Sequence, residues 1–164
     1  MSEEQVWIKN TDDNSTMLYK LVSNDNSEDF EYYSKNDNHE IENLVNLTYI
    51  NLPTIMNVLK SRYGFDNIYT LNGDILISIN PFKKIDIYDC KKNYDITRPH
   101  IYVIAEKAYR NVHIQNQSIL VSGESGSGKT ENTKYILKYL CNNYADNDDI
   151  AHHTIWMGPR FKEL

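Results

Sequence analysis

The sequence has little that would mark it for nucleic acid, a membrane or secretion. No basic block interrupts its 164 residues, and 23 acidic against 17 basic side chains leave a formal charge of −6. Binding to nucleic acid draws on counterion release by clustered Lys and Arg, so an acidic chain without such a cluster argues against that class of partner. The two cysteines, Cys90 and Cys141, form no CxxC pair and are expected to be free thiols in a reducing compartment. No apolar run approaches the roughly 20 residues of a membrane span. The opening residues offer neither a basic n-region nor an apolar h-region, so no secretory signal is expected. The sequons at Asn14, Asn46 and Asn116 are then chance matches in an Asn-rich chain. Together these absences predict a cytosolic protein. No internal repeat is found. His152-His153 is a metal-like pair, but adjacent histidines on a strand point to opposite sides and no Cys or carboxylate cluster stands near, so no metal is expected there.

What is present is ordinary for a globular chain: 40% hydrophobic and 24% charged residues, enough for one domain with a modest core. Residues 1–50 are polar and poor in pattern, with short strand-like runs at Val6-Trp7-Ile8 and at 17–22 between Asp/Asn/Ser-rich loops. They read as a small β module or a partly disordered arm. Residues 51–63 read as a helix capped by Asn51, with Pro53 in its first turn and Gly64 at its end. Its apolar stripe would be Leu52, Ile55, Met56, Leu59 and Tyr63. Residues 67–80 read as a hairpin about Asn72-Gly73, the dipeptide of a type I′ turn, stopped by Asn80-Pro81. A second helix is predicted over 99–112, burying Ile101, Ile104, Ala105, Ala108, Tyr109 and Val112. A short apolar strand is predicted over 117–122. A last helix follows to about Tyr144, with Ile136, Leu137, Leu140 and Tyr144 as its buried face.

Between that strand and that helix lies Gly123-Glu124-Ser125-Gly126-Ser127-Gly128-Lys129-Thr130, which fits GxxxxGK[ST] at every fixed position. The pattern is that of a phosphate loop. Glycines let the backbone curl with its N–H groups turned inward, and the helix that follows adds the positive end of its dipole. A lysine ammonium at Lys129 can reach the β- and γ-phosphates, and the Thr130 hydroxyl can ligate Mg²⁺. A preceding buried strand and a following amphipathic helix are the context this motif requires.

The longer string GESGSGKTENT, preceded by Asn116-Gln117-Ser118-Ile119-Leu120, closely resembles the myosin head. Asn80-Pro81-Phe82-Lys83-Lys84-Ile85-Asp86-Ile87-Tyr88 resembles that family's purine-binding loop, NPxxxxxxY. Tyr63 with 66–70 and Pro99-His100-Ile101-Tyr102 match the family's pattern in order and spacing. The resemblance covers about Asn43 to Tyr144; Val6-Trp7-Ile8 is similar, more weakly, to the start of the SH3-like domain ahead of many myosin heads. The fold it implies is α/β: a P-loop unit with helices on a mostly parallel sheet over 43–145, a β-rich arm over 1–42, and a tail over 146–164 that matches nothing of the family.

For the site, the resemblance implies that Asn80, Pro81 and Tyr88 line the adenine end of ATP, with Lys83, Lys84 and Glu131 beside it. Gly123, Glu124, Ser125, Gly126, Ser127 and Gly128 wrap the phosphates, Lys129 holds the γ-phosphate, and Thr130 ligates Mg²⁺. ATP and Mg²⁺ are the implied cofactors. Actin and light chains are the implied partners of a full-length head, in the cytoplasm on the actin cytoskeleton. The chain stops before the family's switch 1 and switch 2 loops, so these residues by themselves are expected to hydrolyse ATP poorly or not at all. No catalytic residue is assigned. A central strand of the family's sheet comes from later sequence, so an open edge, marginal stability and aggregation are expected. The alternative is a nucleotide-binding remnant without motor or ATPase activity. An unrelated P-loop GTPase or kinase would need an NKxD-type motif or a lid arginine cluster, and neither is present.

Overall fold

The computed structural model describes residues 5–11, 15, 18–23, 30–88, 95 and 97–144. The chain divides into two compact units, one of Met1–Ile85 with Asp95–His100, the other of Asp86–Tyr94 with Ile101–Leu164.

The first unit opens with three antiparallel strands, β1 (Gln5–Lys9), β2 (Tyr19–Ser23) and β3 (Phe30–Tyr32), in the order β2-β1-β3. Trp7 pairs with Leu21 on one side and Glu31 on the other. Val6 and Trp7 are both buried although neighbours on a strand face opposite ways, so the central strand is covered on both faces. The sequence pattern anticipated β1 and most of β2; Met17 lies outside the described residues, and β3, only three residues long, is too short for its alternation to announce it.

Helix α1 (Leu52–Gly64) begins as its residues dictate. The Asn51 side chain accepts from the Thr54 N–H at 2.9 Å and Pro53 sits in the first turn. The face it buries differs from the predicted stripe. Pro53, Thr54, Val58 and Arg62 are buried, Ile55 and Leu59 are half-buried, and Leu52, Met56 and Tyr63 are exposed. The cause is Arg62, whose guanidinium is drawn inside by three acceptors: Thr70 Oγ1 at 2.9 Å, Tyr69 O at 3.0 Å and His39 O at 2.8 Å. Burial lowers the Arg62 pKa against the opposing pull of Glu42, with Arg98 adding to the lowering. The helix also ends later than expected: Gly64 is still helical, and the left-handed residue is Asp66 at φ 60. Asp tolerates that conformation better than most residues.

Strands β4 (Tyr69–Asn72) and β5 (Ile75–Ser78) form the expected hairpin, with a different turn. Asn72 pairs with Ile75, which leaves Gly73-Asp74 as the loop, and only Gly73 has a positive φ, 61°. This is the pattern of a type II′ turn with Gly first, not the type I′ pair at Asn72-Gly73. Asn43 fixes the turn from outside: its Oδ1 accepts from the Gly73 N–H at 3.0 Å and the Val45 N–H at 3.3 Å. Leu44, Leu47 and Val58 form a core, with Ile41, Ile55 and Ile77 packed against it.

The second unit is built on α2 (Ile101–Val112) and α3 (Lys129–Tyr144), which pack together. Ile101 and Ala105 are buried as predicted, and Ile104, Ala108, Tyr109 and Val112 are half-buried. Tyr102, Val103 and Glu106 are buried without having been predicted. On α3 only Ile136 is fully buried, with Leu137, Leu140 and Tyr144 half-buried.

Stacked tyrosines join the helices. Tyr102 lies on Tyr139 with centroids 4.6 Å apart, and Tyr109 on Tyr144 at 3.6 Å. Beneath them Glu106 accepts from Tyr139 Oη at 3.0 Å, from Arg110 Nε at 2.5 Å and from Tyr144 Oη. Burial opposes the ionised carboxyl, but the hydrogen bonds from Tyr144, Arg110 and Tyr139 outweigh it and hold Glu106 below its ordinary pKa. Burial first, then the bond to Glu106, pushes Tyr139 up to about 12 and raises Tyr144 as well.

The strand predicted over 117–122 does not form. Gln117, Ile119 and Val121 are half-buried while Ser118, Leu120 and Ser122 are exposed, so the segment keeps the alternation of a strand. It belongs to neither sheet among the described residues, and Leu120 is 92% exposed. A strand needs a ladder partner as well as a pattern, and here none is supplied.

Candidate functional site

The glycine-rich loop and the start of α3 make one local structure. Gly126 and Gly128 adopt φ 79° and 98°, which L side chains rarely adopt. Gly123 has φ 153°, where an L side chain is strained whatever the space, and a Cβ there would also come within 2.7 Å of Ser127 Oγ. Helix α3 begins at Lys129, and the Asn132 N–H bonds back to Gly128 O at 2.9 Å. The Lys129 ammonium spans the loop and donates to Gly123 O and Glu124 O, each at 2.7 Å. The Ser127 N–H donates to Glu124 O at 3.2 Å. The result is a closed curl with a cation across it at a helix N-terminus.

That arrangement fits a phosphate chemically: an ammonium with flexible reach, a helix start, and exposed Ser125 and Thr130 hydroxyl residues. Glu124 is exposed beside them. Glu131, exposed in the first turn of α3, is paired with Lys134 at 3.1 Å. A carboxylate there also favours the helix dipole.

Tyr88 belongs to the same unit as this loop. Its ring lies parallel to that of Tyr135 on α3, with centroids 3.6 Å apart and 5° between planes, and its carbonyl accepts from Tyr102 Oη at 3.1 Å.

Asn80, Pro81, Lys83 and Lys84 belong to the first unit. Asn80 Oδ1 accepts from the Phe82 N–H at 2.9 Å and so tightens a turn in which Phe82 takes φ 49° with 84% of its surface exposed. A bulky residue at positive φ is uncommon and carries strain. The end of α1 holds this turn. Tyr63 Oη donates to Asn80 O at 3.4 Å, and Asp66 pairs with Lys83 at 2.6 Å. Lys83 is therefore already paired, while Lys84 is exposed.

The residues that sequence reasoning missed are Tyr135, Tyr63 and Asp66 as the neighbours of these side chains. A tyrosine at the sixth position past Lys129 was the available signal for the first, and it was one of 13. Among the described residues no group of three or more His, Cys, Asp or Glu could hold a metal ion, and His152-His153 lies outside them. No helix among the described residues is long and apolar enough to cross a membrane.

A family model described as myosin head (motor domain) matches residues 41–157, past the predicted limit near Tyr144. Myosin-2 of Lachancea kluyveri is 39% identical over 134 residues, which covers 75% of this chain and 9% of that protein. Unconventional myosin-VI of Bos taurus is 40% identical over 130 residues, covering 73% of this chain and 10% of its own length. Myosin-2B of Naumovozyma castellii is 45% identical over 107 residues, 59% of this chain and 8% of that protein. The chain spans about a tenth of the length of the curated relatives it matches.

Proposed function

The chain belongs to the myosin head family, and from that premise we propose that it forms the ATP-binding portion of an actin-based motor. The observation that carries the reading is the curl of Gly123–Gly128 at the N-terminus of α3, bridged by Lys129. In this reading the loop N–H groups wrap the phosphates, and Lys129 adds the γ-phosphate to its bonds with the loop. Thr130 supplies a hydroxyl to Mg²⁺. When bound, the Mg²⁺ ion offsets charge on the phosphate oxygens.

The family's pattern assigns the adenine end to Asn80, Pro81 and Tyr88, with Lys83, Lys84 and Glu131 beside it. Lys83 comes to that role with Asp66 as its existing partner, so its charge is partly compensated before any nucleotide arrives. The β-rich arm of residues 1–42 is assigned as SH3-like on the same basis.

Holding the substrate and aligning water for attack are separate tasks. The P-loop residues perform the first. The 164 residues by themselves therefore bind ATP and turn it over poorly or not at all, whereas the whole head hydrolyses ATP and moves on actin. Actin and light chains are partners of that whole head, and the cytoplasmic actin cytoskeleton is its location.

Titration of the chain with a fluorescent ATP analogue in Mg²⁺ tests the reading. Saturable binding is expected. Lys129→Ala should weaken it by about tenfold or more, the cost of one lost charge-assisted contact. Thr130→Ala should remove most of the Mg²⁺ dependence. Absence of saturable binding by the unaltered chain would sink the proposal, and sustained phosphate release by it would refute the separation of binding from turnover.

A further inference from the structure

Tyr88 sits in a stretch without regular secondary structure, where a side chain would ordinarily sample several rotamers. Here it is fixed from two helices. Its carbonyl accepts from Tyr102, which is fully buried and itself stacked on Tyr139, and its ring lies flat on Tyr135. Tyr88 and Tyr102 also meet at 6.2 Å in an edge-on contact.

Tyr135 has a second property, its place on α3. It follows Lys129 by six residues on one uninterrupted helix. At 1.5 Å per residue that is roughly 9 Å along the axis, so both positions fall within the span of one nucleoside triphosphate. The helix whose N-terminus carries the phosphate loop thus also carries the platform on which the Tyr88 ring rests. Any motion of one is a motion of the other.

We infer that Tyr135 is a positioning residue for base recognition: by stacking on Tyr88 it sets that ring at a fixed distance from the phosphate loop, so that the chain prefers a nucleoside triphosphate over bare polyphosphate. This rests on the reading of Gly123–Thr130 and Tyr88 as the two ends of an ATP site. Tyr135 acts through Tyr88 and is not itself assigned a contact with the nucleotide. If the stack were packing alone, losing it would lower stability and leave the preference between ligands where it was.

The experiment measures dissociation constants of the whole chain for Mg·ATP and for Mg·tripolyphosphate, for the unaltered protein, Tyr135→Leu and Tyr135→Phe, with thermal midpoints alongside. The unaltered chain is expected to bind ATP the more tightly. Tyr135→Leu should lose roughly three- to tenfold of that preference, the range of an aromatic pair, with tripolyphosphate binding unchanged. Tyr135→Phe, which keeps the ring, should retain it. If Tyr135→Leu does not fold, Tyr135→Gln at the same half-buried helical position carries the comparison. Equal preference in the unaltered and ring-deleted proteins would overturn the inference while leaving the ATP site standing. An unaltered chain that binds neither ligand, or binds both equally, would overturn the site reading and the inference with it.

Discussion

Arg62 illustrates how a single side chain can turn a helix. Its planar fork meets two carbonyls and one hydroxyl inside the first unit, a geometry that a lysine ammonium cannot reproduce. Arg62→Lys should cost about 1–3 kcal/mol by leaving buried acceptors unpaired, read as a lower midpoint in urea. An unchanged midpoint would mean that the carbonyls find other donors. Glu106 gives a pH-dependent counterpart. Its folded pKa lies below the ordinary 4.5, so its contribution is present above that value and is lost as pH falls through the folded one. Tyr139 runs the other way: raised from 10.0 to about 12, it contributes fully below pH 10 and loses that contribution as pH climbs toward 12. Thermal midpoints across pH should therefore fall at both extremes, and Glu106→Gln should flatten the acid limb. An acid limb of equal slope in that variant would show that other carboxylates dominate it. Neither Arg62 nor Glu106 was legible as buried, because periodicity weighs a charged residue as solvated and knows nothing of the acceptors awaiting it.

At the scale of elements, the local signals were the readable ones. Asn51 and Pro53 placed the start of α1, Gly73 placed a turn, and the GxxxxGK[ST] string placed the junction of loop and α3. What local signals left undetermined was how a side chain's surroundings would reuse it. Asn72 looked like the first residue of a type I′ turn, yet it is a ladder residue opposite Ile75. The distinction is measurable. Gly73→Ala meets no neighbour within 4 Å but must hold φ 61°, so it should cost about 1–2 kcal/mol through backbone conformation alone. Asn72→Thr should be close to neutral, since Thr suits a strand. Comparable losses in both would restore the type I′ turn. The tyrosine stack between α2 and α3 was hidden for a different reason. Contacts between residues 35 to 47 positions apart leave no trace in a local window, and 13 tyrosines offer many pairings.

For the whole molecule, the segment 117–122 matters most. It was legible as a strand in pattern and is not one in fact, because pairing is a property of the whole sheet. A segment with strand-like alternation that belongs to neither sheet among the described residues, with Leu120 exposed, is a template for association with other chains. Leu120→Lys should slow the growth of turbidity on warming, by placing a charge on that edge, and leave the thermal midpoint within about 0.5 kcal/mol of stability. The same aggregation rate in the variant would point to another surface. The stacked rings also give the chain an optical property. Tyr88 with Tyr135, and Tyr109 with Tyr144, lie 3.6 Å apart and nearly parallel, at 5° and 16°. At that spacing the near-ultraviolet transitions of two phenols are coupled, and rings held rigidly in a chiral protein framework give that coupling a circular-dichroism signature. The Tyr109–Tyr144 pair thus gives the docking of α2 on α3 its own circular-dichroism signal, readable without any attached dye and lost as soon as the rings part.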